Sequence, residues 1–209
     1  MQRTLPLGVG QNSAPRPIPL ILTGIAIVLC FLGCLSSQGV GPNAARPLDT
    51  VPYVDLKRFA GAWFVIESIG LEAEAGAHDE VETYTLLDNG EIDIALTFRA
   101  GSFDGPEESI PQRGWVHDPE TNAEWRIRPV WPLSLSYLII DLDPDYGWTV
   151  VGHPSKRWVW IMARTPHLGA DVLGGIRDRL TDVGYDVGKL VAIPQRPIDE
   201  REPGEVAPD

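Results

Sequence analysis

The chain has 209 residues, with 17 Lys and Arg against 29 Asp and Glu and a formal charge of −12. From Cys34 onward 15 basic residues stand against 29 acidic ones, a charge of −14, and no dense basic cluster could neutralise several phosphates, so a nucleic-acid partner is disfavoured. Both cysteines, Cys30 and Cys34, lie in an apolar N-terminal run, which excludes a disulfide framework or thiolate metal site from the remainder.

Residues 1–17 carry Arg3 and Arg16 and no acid, 20–35 are almost unbroken apolar sequence, and 36–47 are small, polar and proline-containing. This is the outline of a secretion signal. The apolar run is shorter than the roughly 20 residues a spanning helix needs. Phe31-Leu32-Gly33-Cys34 resembles a bacterial lipobox, with Gly33 and Cys34 fitting and Phe31 and Leu32 departing from the usual leucine and small residue. Residues 1–33 are therefore expected to be a lipoprotein-type signal peptide, with Cys34 lipidated, or else an uncleaved membrane anchor or an ordinary signal. In each case the domain is exported. Residues 34–51 read as a flexible linker, 52–193 as one domain, and 194–209 as a disordered acidic tail with four prolines and five acids.

Within the domain, a polar and basic helical turn at Asp55–Arg58 leads through Gly61 and Trp63 into the first strand, Trp63–Ile69. A Glu, Ala and Gly-rich loop, 70–79, follows. Strands Glu80–Leu87 and Glu91–Arg99 flank Asp88-Asn89-Gly90, a hairpin signal. In the second of these, Ile92, Ile94, Leu96 and Phe98 share one face. Five more strands are expected at Ser109–Val116, Ala123–Val130, Leu135–Leu142, Gly147–Gly152 and Trp158–Arg164, separated by proline-containing turns. Eight strands with regular turn signals and no intervening helix predict an antiparallel β-barrel with room for one small ligand. Ala170, Leu173, Ile176, Leu180 and Val183 recur at helical spacing, Gly184 stands at the C′ position, and Leu190–Ile193 makes a short strand.

Three segments resemble the lipocalins, in particular their bacterial and apolipoprotein D-like branch. They are the Gly61-x-Trp63 entry, the stretch Gly152–Pro166 containing Arg164, and Gly184-Tyr185-Asp186-Val187-Gly188-Lys189-Leu190. The resemblance implies an eight-stranded up-and-down barrel with the C-terminal helix packed outside, and an arginine, Arg164, lying over Trp63 to close the barrel floor. It also implies reversible binding, storage or transport of a small hydrophobic molecule such as a fatty acid or lysophospholipid. Leu35 after the cysteine, in place of aspartate, implies the outer membrane of a bacterial envelope.

No constellation for catalysis is visible: there is no Gly-x-Ser-x-Gly, no His-Glu-x-x-His and no phosphate loop, and the domain lacks the cavity cysteine of the family's isomerases. An enzyme, a cofactor and a metal are not expected. His78, His117, His153 and His167 all fall in or beside loops, where solvated histidine is the ordinary state and a haem or metal ligand the alternative. Candidate ligand contacts are Ile94, Leu96, Phe98, Trp125, Ile127 and the mouth residue Trp131 of Trp131-Pro132-Leu133. Glu67 and Glu74 sit near the expected open end, as a solvated rim or as contacts to a polar ligand head or a partner subunit. Arg126 and Arg128 face water if Trp125 and Ile127 face inward; the other parity sets an arginine at the cavity mouth, able to hold a carboxylate or phosphate head. A barrel packed solid by its tryptophans, serving as an envelope scaffold, is the competing reading. An exposed Glu or Trp-rich mouth would permit a homodimer.

Overall fold

A computed structural model describes residues 47–128 and 132–201. The lipidation candidate Cys34, the signal and linker as far as residue 46, Trp131 and the last eight residues lie outside the described residues.

Helix α1, Leu56–Phe59, is capped by Asp55, whose side chain accepts from the amides of Lys57 and Arg58. Strands β1 (Gly61–Ile69), β2 (Ala77–Leu86), β3 (Glu91–Ala100), β4 (Glu107–Val116), β5 (Glu124–Arg128), β6 (Leu135–Leu142), β7 (Trp148–Gly152) and β8 (Val159–Ala163) follow. Each pairs antiparallel with the next, and β8 pairs with β1. The sheet therefore closes on itself as an up-and-down barrel of eight strands. Helix α2, Ala170–Asp182, and a two-residue strand β9, Val191–Ala192, complete the fold.

The Asn89-Gly90 hairpin takes its positive φ at Gly90 alone, at +84°, while the Asn89 side-chain oxygen accepts from the Glu91 amide. Strand β2 begins three residues earlier than the expected Glu80, because Ala77 and His78 already pair with Ala100 and Arg99 across a bulge at Asp79, where φ is +51°. That bulge restores the phase, so that Glu80, Glu82 and Tyr84 point into the barrel and Val81 points out.

Both faces of several strands are apolar because the outside is covered. Ile176 and Leu180 of α2 pack on Val150, Val159 and Ile161, which β7 and β8 turn outward. The helix ends with Gly184 at φ +91°, its amide bonded to Thr181 O and the Tyr185 amide to Leu180 O, a Schellman arrangement. Tyr185 then reaches back to the β7–β8 turn, its hydroxyl accepting from the His153 amide at 3.1 Å and donating to Trp158 O at 3.2 Å. Gly152 leaves the space for it, since a Cβ there would stand 2.5 Å from the tyrosine oxygen. Glu67, expected near the open end, instead lies outside the barrel under α2, buried and paired with Arg177. The bulge in β1 between Val65 and Glu67 turns it outward.

Residues 194–201, expected to belong to a disordered tail, lie along the barrel in the structure. β1 pairs with β2 only from Gly61 to Phe64 and then leaves it, and β9 takes up the vacated edge at Glu67 and Ser68. Beyond β9, the Gln195 amide spans the split by donating to Val65 O at 2.7 Å and Glu80 O at 2.9 Å. Arg196 and Arg201 converge on the buried Asp79, the latter at 2.8 Å. Composition signals disorder when a segment has nothing to bury; here two arginines meet a carboxylate already on the barrel wall.

Candidate functional site

One end of the barrel is shut. Trp63 and Arg164, brought together across 101 residues of sequence, form its floor: the guanidinium lies 3.8 Å from the indole centroid and donates to the carbonyls of Arg58, Phe59, Ala60 and Ala62 at 2.7–3.0 Å. An arginine over a tryptophan contributes about 1–2 kcal/mol when water is kept away. Gly61 adopts φ +97°, and a Cβ there would meet the Arg164 guanidinium at 3.2 Å, so the position favours glycine twice over. The Trp63 indole donates to Phe59 O at 2.8 Å.

Above the floor the rings of Phe59, Trp63, Tyr84, Trp125 and Tyr137 form one cluster, with neighbouring centroids 5.1–6.4 Å apart. Trp125 belongs to this packed lower half, its indole bonded to Asn122 O. Ile94, Leu96 and Ile127 line the same interior, and Phe98 continues the inward phase of β3 toward the other end. The loops between β1 and β2, β3 and β4, and β7 and β8 lie at that second end, opposite α1.

In the upper half the interior changes character. Glu80 and Glu82 enter from β2, and Glu74 hangs from a 3-10 turn, Glu72–Glu74, in the β1–β2 loop. All three are buried. Glu82 accepts from the hydroxyls of Tyr84 at 2.5 Å and Tyr137 at 3.1 Å, and these hydroxyls also contact each other. Glu74 accepts from the Trp160 indole at 3.1 Å and rests against Gly70, which has no side chain to displace it. Glu80 is fully buried, with neither carboxyl oxygen hydrogen-bonded among the described residues.

The charges follow from these surroundings. Burial, reinforced by Glu74 and then Glu82, pushes Glu80 up to about 9. Burial lifts Glu82 to about 7, with the two tyrosine hydroxyls pulling the other way. Burial also raises Glu74, opposed by the Trp160 indole and the Leu71 backbone. At neutral pH the barrel therefore holds at least one neutral carboxylic acid, able to donate as well as accept.

Arg126 and Arg128 do not join this site. They alternate with the inward Trp125 and Ile127; Arg126 pairs with Glu124 at 2.7 Å, and Arg128 lies over Trp115 on the outer face. No group of His, Cys, Asp and Glu that could hold a metal occurs among the described residues. His78 and His153 make local contacts with Gly76 O and Ser155. Outside the barrel a groove of about 310 Å³ runs between α2, strands β6 and β7, and residues 47–50, with Leu48, Ile140, Val150 and Leu180 among its walls.

Sequence reasoning named Glu74 as a rim residue or a contact to a ligand head or partner, and did not single out Glu80, Glu82, Tyr84 or Tyr137. The period-two pattern of β2 reads as acids to water and Val81 to the core. It misleads because Val81, with Ala62 and Phe64, packs in a separate cluster on the outer face.

A closed eight-stranded antiparallel barrel, shut at one end by Trp63 and Arg164 and followed by a C-terminal helix, defines the class of fold. The chain belongs to the lipocalin family: residues 54–195 match the family model for the lipocalin-like domain. The chain is 26% identical to the outer membrane lipoprotein Blc of Escherichia coli K12 over 180 residues, covering 86% of this chain and 98% of the other. It is 24% identical to temperature-induced lipocalin-1 of Arabidopsis thaliana, covering 72% and 84% of the two chains. With mouse apolipoprotein D the identity is 27%, over 68% and 77%. Among solved structures, insecticyanin from the tobacco hornworm Manduca sexta superposes with a TM-score of 0.56 at 17% identity, over 73% of this chain and 87% of that one. Apocrustacyanin C2 superposes with a TM-score of 0.54 at 13% identity, over 68% and 80%.

Proposed function

We propose that the protein binds and carries a small hydrophobic ligand inside its barrel, without catalysis. The observation that carries this reading is the arrangement of the interior: a floor sealed by Trp63 and Arg164, an apolar wall of Ile94, Leu96, Phe98 and Ile127, and buried carboxyl groups gathered in the upper half. Membership of a family that binds small hydrophobic molecules supports it. A ligand gains about 0.8 kcal/mol for each methylene taken out of water, so an acyl chain or fused-ring body supplies the affinity and the polar groups set its orientation. A fatty acid or lysophospholipid is the ligand class that the family resemblance implies; the proposed ligand contacts are Ile94, Leu96, Phe98, Ile127 and Glu74, with Trp131, outside the described residues, as a further candidate.

The full chain, incubated with a total lipid extract and released intact into a mass spectrometer, should carry one adduct per chain whose dissociation identifies it. A folded chain that emerges bare would sink the carrier reading in favour of a barrel packed as a scaffold.

The relatives named outer membrane lipoprotein, together with the Gly33-Cys34 pair, support an exported protein of the cell envelope anchored through Cys34. Replacing Cys34 by Ala is expected to move the protein from the membrane to the soluble fraction. Retention of that variant in the membrane would support an uncleaved anchor.

A further inference from the structure

Among the described residues, the inner wall of the upper half carries carboxyl groups and no basic side chain. Glu80 is the sharpest case: it is wholly buried, faces inward from β2, and neither oxygen has a hydrogen-bond partner among the described residues. Leaving both oxygens of a buried carboxyl unbonded costs free energy that a native protein accepts only where something else supplies the bond. Two more buried carboxyls, Glu74 and Glu82, are its electrostatic neighbours.

Among the described residues, no strand sets a cation on the inner wall to meet them. The basic residues on the described strands are Arg99, Arg113, Arg126 and Arg128. All four are out of phase with their inward neighbours, and ion pairs or a ring contact hold them outside: Arg99 to Glu107, Arg113 to Asp93, Arg126 to Glu124, and Arg128 over Trp115. Glu108, in line with Phe98 at the exposed end of β4, adds a further acid in the inward phase. Of the donors in the inward phase, the Tyr84 and Tyr137 hydroxyls and the Trp160 indole are taken by Glu82 and Glu74, and the others, Ser68 opposite Trp160 and Gln112 opposite Ile94, are neutral.

We propose that the ligand is a hydrophobic amine, whose ammonium group sits against Glu80 between Glu74 and Glu82 while its apolar body fills the barrel. An ammonium supplies what Glu80 lacks, a positively charged donor, and the low-polarity surroundings strengthen the contact. An anionic head at the same place would meet three acids and no cation. The inference rests on the carrier reading above and narrows it, away from fatty acids with an inward carboxylate. Seating an ammonium also converts Glu80 from neutral acid to carboxylate, so its proton leaves to bulk water as the ligand enters.

The test uses three probes with one tail, dodecylamine, dodecanol and dodecanoic acid, titrated below their aggregation limits into the full chain at pH 7.5 with tryptophan emission as the signal. Dodecylamine should bind at least about tenfold more tightly than dodecanoic acid, the size expected of one charge-assisted hydrogen bond. Glu80→Gln should erase that preference while leaving dodecanol affinity within about twofold, which also shows that the variant is folded. Calorimetry in buffers of differing ionisation heat should find a proton released on amine binding to the native chain and none with Glu80→Gln. Equal binding of all three probes would overturn the proposal and leave the carrier reading standing, as would tighter binding of the acid. Binding of none would overturn both.

Discussion

Glu80 is the residue at which this barrel departs from a plain apolar cup. Its carboxyl holds a proton up to about 9 because burial comes first and two further acids add to it. The unfolded chain, by contrast, ionises the same group near 4.5. The folded state thus binds the proton more tightly. Its stabilising contribution is complete below about pH 4.5 and drains away as pH rises toward about 9. Glu82 acts in the same direction over a narrower window ending near 7. Glu80→Gln, which keeps the shape and cannot ionise, should raise the melting temperature by on the order of 5 °C at pH 8 and by less than about 1 °C at pH 4.5. A melting temperature that responds equally at both pH values would mean that Glu80 is not held neutral. The floor pair illustrates the opposite kind of residue. Arg164 stays charged, is satisfied by four backbone carbonyls and a tryptophan face, and has a structural role that needs no ligand.

Among the elements, the segment after β9 does more than its sequence suggests. Where β1 turns away from β2, the carbonyls of Val65 and Glu80 lose their ladder partners, and the Gln195 side chain bonds both. Asp79, at the positive-φ bulge just before Glu80, is held by Arg196 and Arg201. The tail therefore fixes the stretch of β2 from which Glu80 enters the barrel. A chain ending after Ile193 should exchange the amides of residues 64–67 and 79–82 at least about tenfold faster than the full chain, with the β3–β4 hairpin unchanged. Unchanged exchange in both places would show that the tail rests on the barrel without closing it.

The elements were legible in the sequence to differing degrees. The hairpin at Asn89-Gly90, the alternation of β3 and the helix capped by Gly184 could be read because each depends on neighbours in the chain. The side of the barrel to which β1 and β2 turn their residues could not. There Phe64 and Val81 are buried outside, while Glu80 and Glu82 are buried inside, an inversion made by two bulges, by helix α2 and by the tail. The same applies to Asp79 with Arg196 and Arg201, partners more than a hundred residues apart that no local pattern connects. The floor was legible through family resemblance, and the acidic upper half was not.

At the scale of the whole molecule, the proposed site inside the barrel competes with the groove of about 310 Å³ beneath α2. They differ in the tryptophan they would bring to a ligand. Trp160 packs against the interior cluster and bonds Glu74, whereas Trp148 packs with the helix-side cluster under Arg179. The most direct measurement is quenching of the full chain's tryptophan emission by a long-chain amine brominated along its tail, repeated with Trp160→Phe and Trp148→Phe. Carriage inside the barrel predicts saturation at one ligand per chain, with the quenched fraction falling sharply in Trp160→Phe and unchanged in Trp148→Phe. The reverse pattern, loss with Trp148→Phe alone, would place the ligand outside the barrel and contradict the account.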